Sequence, residues 1–166
     1  MSVTVRAAGE ADVAALNAIY NEYIVDSHVS FDTEPWTGEA RRAWFAERTS
    51  AGYPVLVAVE DGALVGCAWA GQWRSKAAYR GSVETTVVLA PDRTGRGVGT
   101  GLLKALIAEL ASSGFHTAIA IIALPNDASI AVHEKLGYTV VGTLEDVGFK
   151  DDRHWSTTIM QRRLSD

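Results

Sequence analysis

Residues 93–101 read RTGRGVGTG, with glycine at positions 95, 97, 99 and 101. Glycine inside regular structure costs roughly 0.5–1 kcal/mol relative to alanine, so this run marks a place where something must come close to the main chain. Before it stands the β-branched stretch VETTVVLAP; after it comes LLKALIAELASSG, with leucine and isoleucine at helical spacing. A strand feeding a glycine-rich turn that opens a helix is an anion cradle. The first N–H groups of the helix lack internal partners, and the helix dipole places about half a positive charge there. Arg93 and Arg96 add cationic screening. A flexible turn with one glycine as cap is the competing reading, and four alternating glycines accompanied by two arginines weigh against it.

Several phosphate-binding loops are excluded by what is missing. A nucleoside triphosphate loop requires Gly-Lys-Ser/Thr, which does not occur. A dinucleotide fold places its glycines after the first strand and an acid about 20 residues on; here the glycines follow several strands and the next strand ends in Leu124-Pro125-Asn126. The glycine loop of protein kinases needs lysine and aspartate partners that are absent.

Two ionisable residues are candidates for chemistry. Glu84 lies in SVETTVVLA, on the strand face of Thr86 and Val88. It is either a solvent-facing carboxylate or a used one, since a carboxylate on a central strand is costly without a task. His133 shares a helix face with Ile130 and Leu136, which fits a partly buried structural histidine as well as a working one. Arg74, Lys76 and Arg80 read as a solvated link, and Trp69, Trp73 and Tyr79 as core or pocket wall. Cys67 alternates within a strand and reads as packing, with no activating base in view. The four histidines show no ligand spacing, so no metal site is expected.

The elements that must position these residues follow from periodicity. VTVR is a first strand, and a helix begins at Asp12, with Val13, Leu16, Ile19, Tyr20, Tyr23 and Ile24 on one face. DSHVSFDTEP is a loop. Thr37 caps a second helix carrying Trp44 and Phe45. YPVLVAVE, the turn pair Asp61-Gly62 and ALVGCAWAGQW form a β-hairpin. RSKAAYRG links it to the strand SVETTVVLA, and Gly114 ends the helix that follows the glycines. HTAIAIIAL is a continuous apolar run, expected as a strand buried on both faces. PNDASIAVHEKLG is a short helix capped by Asn126 or Asp127 and stopped at Gly137. A terminal strand pair turns around KDD. The order β-α-α-β-β-β-α-β-α-β-β predicts an α/β mixed sheet with helices on both faces, in a single domain over 1–166.

The composition agrees. In 166 residues, 48% are hydrophobic and 21% charged, and the formal charge of -5 argues against electrostatic nucleic-acid binding. One cysteine excludes an internal disulfide and fits a reducing compartment. MSVTVRAAGE lacks the apolar core of a signal peptide, and no stretch reaches the ~18 apolar residues of a membrane span. A cytoplasmic protein without membrane or nucleic-acid partners is expected.

RTGRGVGTGLL after VVLAP, with NDASIAVHEKLGY about thirty residues later, resembles the GNAT superfamily of N-acetyltransferases. IYNEYIVDSHVSFDTEPW, RRAWFAER, GYPVLVA, AYRGSVETTVVL and HEKLGY…VGTLEDVGFK resemble, more narrowly, its phosphinothricin and methionine sulfoximine N-acetyltransferases, from about Val5 to Gln161. The resemblance implies a mostly antiparallel twisted sheet and direct acetyl transfer from acetyl-CoA to a small amino-acid-like amine, with no metal. Gly95, Arg96, Gly97, Val98, Gly99 and Thr100 would wrap the pyrophosphate, and Val87, Val88 and Leu89 would offer backbone groups to the pantetheine arm and thioester carbonyl. Asn126 and Ser129 match further coenzyme contacts. Glu84 matches the proposed general base, and His133 the group near the departing sulfur. Arg74, Ser75 and Lys76, with Glu84, Thr85 and Thr86, match substrate-contacting stretches, and the loop of Phe31 and Glu34 the opposite wall. Thr94 stands where the superfamily motif usually has Gln or Arg, with Arg93 one position early. The family also implies a homodimer. An acetyltransferase for proteins or peptides, or a non-catalytic acyl-CoA-binding module, would share the same fold.

Overall fold

Turn and cap chemistry sets the element boundaries. The computed structural model describes residues 2–165. Strand β1 (Val3–Ala7) is followed by a one-turn 3-10 segment and helix α1 (Val13–Asp26). The Thr37 side chain accepts the Ala40 N–H at 3.1 Å and so starts α2 (Gly38–Ser50). Strands β2 (Val55–Glu60) and β3 (Ala63–Gln72) meet at Asp61-Gly62, both with left-handed φ, as a two-residue hairpin requires. After β4 (Ser82–Leu89) come the glycine loop, α3 (Val98–Ser112), β5 (Thr117–Ala123) and α4 (Asp127–Lys135), which Asn126 caps by accepting the Ser129 N–H. Strands β6 (Thr139–Lys150) and β7 (Arg153–Arg163) form the last hairpin. The element order expected from periodicity is the one observed.

The seven strands form one sheet in the order β1-β2-β3-β4-β5-β7-β6, and β4–β5 is its parallel pair among antiparallel neighbours. Because strand residues alternate between faces, the sheet supports two cores. On one side Ala68, Ala70, Val83, Ala120 and Met160 pack against Leu102, Leu103, Leu106 and Leu110 of α3. On the other, Val57, Cys67, Trp69 and Val88 pack against Leu16 and Ile19 of α1.

Two features matter for the site. β4 pairs with β3 through Leu89 but with β5 only from Ser82 to Glu84. Beyond Glu84 the two parallel strands diverge, and the edge of β4 facing β5 carries free backbone groups. Helices α1 and α2 lie chiefly over β2, β3 and β4 rather than over the same face of β5, β7 and β6. Ile121 of β5 is therefore exposed, which corrects the expectation of a strand buried on both faces. Edge strand β6 also exposes Val140, Val141, Leu144, Val147 and Phe149. Among the described residues no helix is long and apolar enough to cross a membrane, and no cluster of His, Cys, Asp and Glu is arranged to hold a metal.

Candidate active site

The divergence of β4 and β5 opens a cleft at the carboxyl ends of the two parallel strands, where ligands bind in open α/β sheets. A narrow part of about 230 Å³ reaches Glu84, Thr86, Phe31, Tyr20 and His133. A wider part of about 530 Å³ reaches Thr94, Gly95, Gly97, Gly99, Thr100 and Lys135. Tyr23, Val29, Val87, Val88, Asn126 and Ser129 line both, so the two parts are continuous. Tyr23 fixes the cleft's edge by donating its hydroxyl to the Leu89 carbonyl at 2.8 Å.

The glycine loop lies at the wide end. Gly97 precedes α3 in a left-handed conformation (φ 82°), and Gly95 has φ 74°. L-residues adopt that region at a cost of roughly 1–2 kcal/mol, so glycine is demanded by the turn. A Cβ at either position would meet no protein atom within 4 Å; it would project into free space before the helix N-terminus. Both properties suit a loop over which an anion lies against N–H groups. Gly101 differs: it is helical, without a left-handed φ, and a Cβ there would touch nothing.

The arginines of the loop do something other than expected. Arg93 Nη1 and Arg96 Nη2 lie 2.8 and 2.9 Å from the carboxylate of Glu60, which closes β2 and is 4% exposed. A buried carboxylate needs cationic partners, and these two guanidinium groups supply them. The Arg96 side chain therefore does not line the cleft. Val98 is packed into the α3 core. Lys135 is the cation that does line the wide end.

Glu84 sits where β4 and β5 part, opposite Ile119 on one side and Gly71 on the other. Burial pushes its carboxyl above the usual carboxylate range, against the pull of the Arg48 and Arg74 charges. Gly71 has no side chain, and the Arg48 guanidinium occupies the space a Cβ would need. Arg48 donates to the Ala70 carbonyl at 2.6 Å and stacks on Trp44.

His133 enters from α4 and is 3% exposed. Its Nδ1 donates to the Ser129 carbonyl at 2.7 Å, since a carbonyl can only accept. In the neutral ring Nε2 then carries a bare lone pair, and it is buried without a partner. Burial lowers the His133 pKa, with the Ser129 bond opposing. The ring is thus an acceptor in the free protein. Thr157 Oγ1, on the same cavity wall, is a second buried polar atom lacking a partner.

Other expected residues divide. Phe31, Thr86 and Val87 to Leu89 line the cleft, as do Asn126 and Ser129. The Thr85 side chain is taken: Oγ1 meets Tyr138 Oη at 2.9 Å and the Ile119 carbonyl at 3.3 Å, on the α3 side of the sheet. Arg74, Ser75, Lys76 and Glu34 are exposed and outside the lining, although the Arg74 charge reaches Glu84. Sequence reasoning did not find Glu60, Lys135, Arg48 or Thr157. Each is polar within an otherwise ordinary helix or strand, and the fold alone gives it neighbours.

The model of the acetyltransferase (GNAT) family matches residues 16–138 of the chain. Phosphinothricin N-acetyltransferase of Streptomyces coelicolor is 41% identical over 98% of this chain and 96% of its own. The L-methionine sulfoximine/L-methionine sulfone acetyltransferase of Pseudomonas paraeruginosa is 38% identical over 99% and 96%. The crystal structure of a GNAT superfamily phosphinothricin acetyltransferase from Sinorhizobium meliloti, in complex with acetyl-CoA, superposes with a TM-score of 0.96 at 34% identity, covering 99% of this chain and 90% of that one.

Proposed function

The chain belongs to the GNAT family of acetyltransferases, and from that membership we propose that it transfers acetyl from acetyl-CoA to the amino group of a small amino-acid-like substrate of the methionine sulfoximine, methionine sulfone or phosphinothricin type. One observation carries this reading: the single cleft that runs from the glycine loop, past the free edge of β4, to Glu84. The loop N–H groups from Gly95 to Thr100 receive the pyrophosphate, with Lys135 as the nearby cation. The backbone of Val87, Val88 and Leu89 takes the extended pantetheine arm as an added strand would be taken. The thioester then lies beside Glu84.

An amine with a pKa of about 8 is mostly protonated at neutral pH. Glu84, with its raised pKa, accepts the proton directly or through a water and frees the nucleophile. Holding amine and thioester together supplies much of the remaining gain, and an unpaired N–H of β4 meets the charge that develops on the carbonyl oxygen. His133 enters this scheme as an acceptor: Nε2 can hydrogen-bond a thiol, and it donates to the leaving sulfur only after taking a proton. Arg74 is offered to the substrate's acidic groups from the rim, with Ser75 and Lys76 beside it, and Phe31 forms the facing wall.

The narrow part of the cleft suits a small acceptor better than a folded protein. The five exposed apolar side chains on edge strand β6 support a homodimer formed through that strand. A buried Cys67 and the use of acetyl-CoA support a cytoplasmic setting. Thiol release from acetyl-CoA with a panel of amines tests the reading. Methionine sulfoximine, methionine sulfone or phosphinothricin should be acetylated and simple alkylamines poorly; release with peptides alone would replace this reading with the protein-acetylating one.

A further inference from the structure

We propose that Lys150 is a positioning residue of the acceptor pocket, holding the segment from Ser27 to Phe31 in the place where it forms one wall. The inference rests on the reading above in one respect, that the narrow part of the cleft receives the amine.

Lys150 closes β6 and is 5% exposed. Its Nζ donates to the carbonyl oxygens of Ile24 at 2.7 Å, Ser27 at 2.7 Å and Ser30 at 2.8 Å. An ammonium has three donors and no acceptor, so three carbonyls satisfy it fully and allow it to be buried without a counter-ion. Ile24 and Ser27 belong to the C-terminal end of α1, where carbonyls lack helical partners and the dipole favours a cation. Ser30 belongs to the pocket wall. One nitrogen therefore joins a helix end, a loop and an edge strand.

Two more contacts tie the same loop to the same hairpin. The Phe31 ring lies so close over Gly148 that a Cβ there would overlap it. His28 stacks on Trp155 with ring centroids 4.3 Å apart, and Trp155 Nε1 donates to the Lys150 carbonyl at 3.0 Å. The loop has no regular structure of its own, so its conformation depends on such anchors, together with the bonds of His28 to the Pro125 carbonyl and of the Ser30 hydroxyl to Tyr20. Among them the ammonium alone holds backbone at three points. Removing it leaves three carbonyls converging on an apolar gap and frees Val29, Ser30 and Phe31 from the cavity they line. Ser30 and Phe31 line only the narrow part, Val29 alone of the segment also reaches the wide part, and the glycine loop at the other end does not touch this anchor. A merely structural lysine would lower stability without separating the two substrates; a positioning one affects the amine selectively.

Steady-state kinetics with L-methionine sulfone and acetyl-CoA test this. Lys150→Met, similar in length and without donors, should raise the amine KM by about tenfold, the scale of a lost charge-assisted bond. The acetyl-CoA KM should stay within about twofold. Lys150→Arg keeps the cation but presents a planar fork to converging carbonyls, and should recover part of the loss. Equal changes in both KM values, or none, overturn the proposal. If Lys150→Met does not fold, the same split in Lys150→Arg decides. Should the wild type fail to acetylate methionine sulfone, the substrate reading falls, and hydrogen exchange then decides the positioning role. Amides from Ser27 to Phe31 should exchange about tenfold faster in the variant while those of α3 do not change; unaltered exchange overturns it.

Discussion

Glu60 Oε1 lies 2.9 Å from Arg96 Nη2, and the same carboxylate receives Arg93 through Oε2 at 2.8 Å. Two arginines of the glycine loop are thus anchored to the end of β2, some 35 residues earlier in the chain. Exposed ion pairs contribute little, but a network on one buried carboxylate fixes geometry. The loop is thereby shaped before any anion arrives. Glu60→Gln keeps the size and removes the charge. The acetyl-CoA dissociation constant, measured by calorimetry, should rise by about tenfold, equivalent to ~1.4 kcal/mol of lost preorganisation, with the amine KM unchanged. A fall instead would mean that the freed arginines reach the phosphates themselves.

The glycines separate into those the loop needs and one it does not. Gly97→Val puts a β-branched side chain at φ 82° and into the free space before α3. Its acetyl-CoA KM should climb steeply while the amine KM hardly moves. Gly101→Ala fills open space on a helix, where alanine is favoured over glycine by about 0.5–1 kcal/mol. It should raise Tm and leave both KM values alone. If Gly101→Ala impairs acetyl-CoA binding as Gly97→Val does, the coenzyme lies further along α3 than proposed.

Glu84→Gln opposes activity to stability. Burial raises the carboxyl above its ordinary range, so the folded state holds the Glu84 proton more tightly than the unfolded chain. Its contribution to stability is then greatest at low pH and is lost as pH rises through the raised value. At pH 7 the ionised side chain is a cost that glutamine removes. Loss of the base should lower kcat by about 10²–10⁴, and the Tm at pH 7 should equal or exceed that of the wild type. A variant with most of its rate intact would show Glu84 to be structural.

Local rules carried the sequence far where they govern. Thr37, Asp61-Gly62, Asn126 and Gly137 are cap and turn residues whose task is set within a few positions, and each performs it. The order of elements followed from period. Long-range pairing was illegible. Nothing near Arg96 in the chain announces Glu60, and the alternating pattern of β6 gives no hint that Lys150 reaches back to α1. Thr85 and Thr86 are adjacent and alike in type and both line the cleft, yet the Thr85 hydroxyl is engaged by Tyr138 in the core. Which of two neighbouring hydroxyls the core engages depends on strand parity, and that is set by how the sheet packs.

The acidic limb of the rate profile should be controlled by Arg48. Its guanidinium rests over Gly71, the residue paired with Glu84, and leads Arg74 as the opposite charge that draws the Glu84 pKa down against burial. Burial lowers the Arg48 pKa as well, yet a guanidinium stays charged across the working range. The base must be ionised to act, so kcat/KM falls as pH drops through the Glu84 pKa. Arg48→Met retains packing on Trp44 and removes the charge; burial then acts with less opposition, and the limb should move to higher pH. Arg74→Met should move it in the same direction by less, because Arg74 is exposed and its field is screened. Raising the salt concentration should erase the Arg74 effect and spare that of Arg48. A limb that stays in place in Arg48→Met would show that the group titrating there is not Glu84.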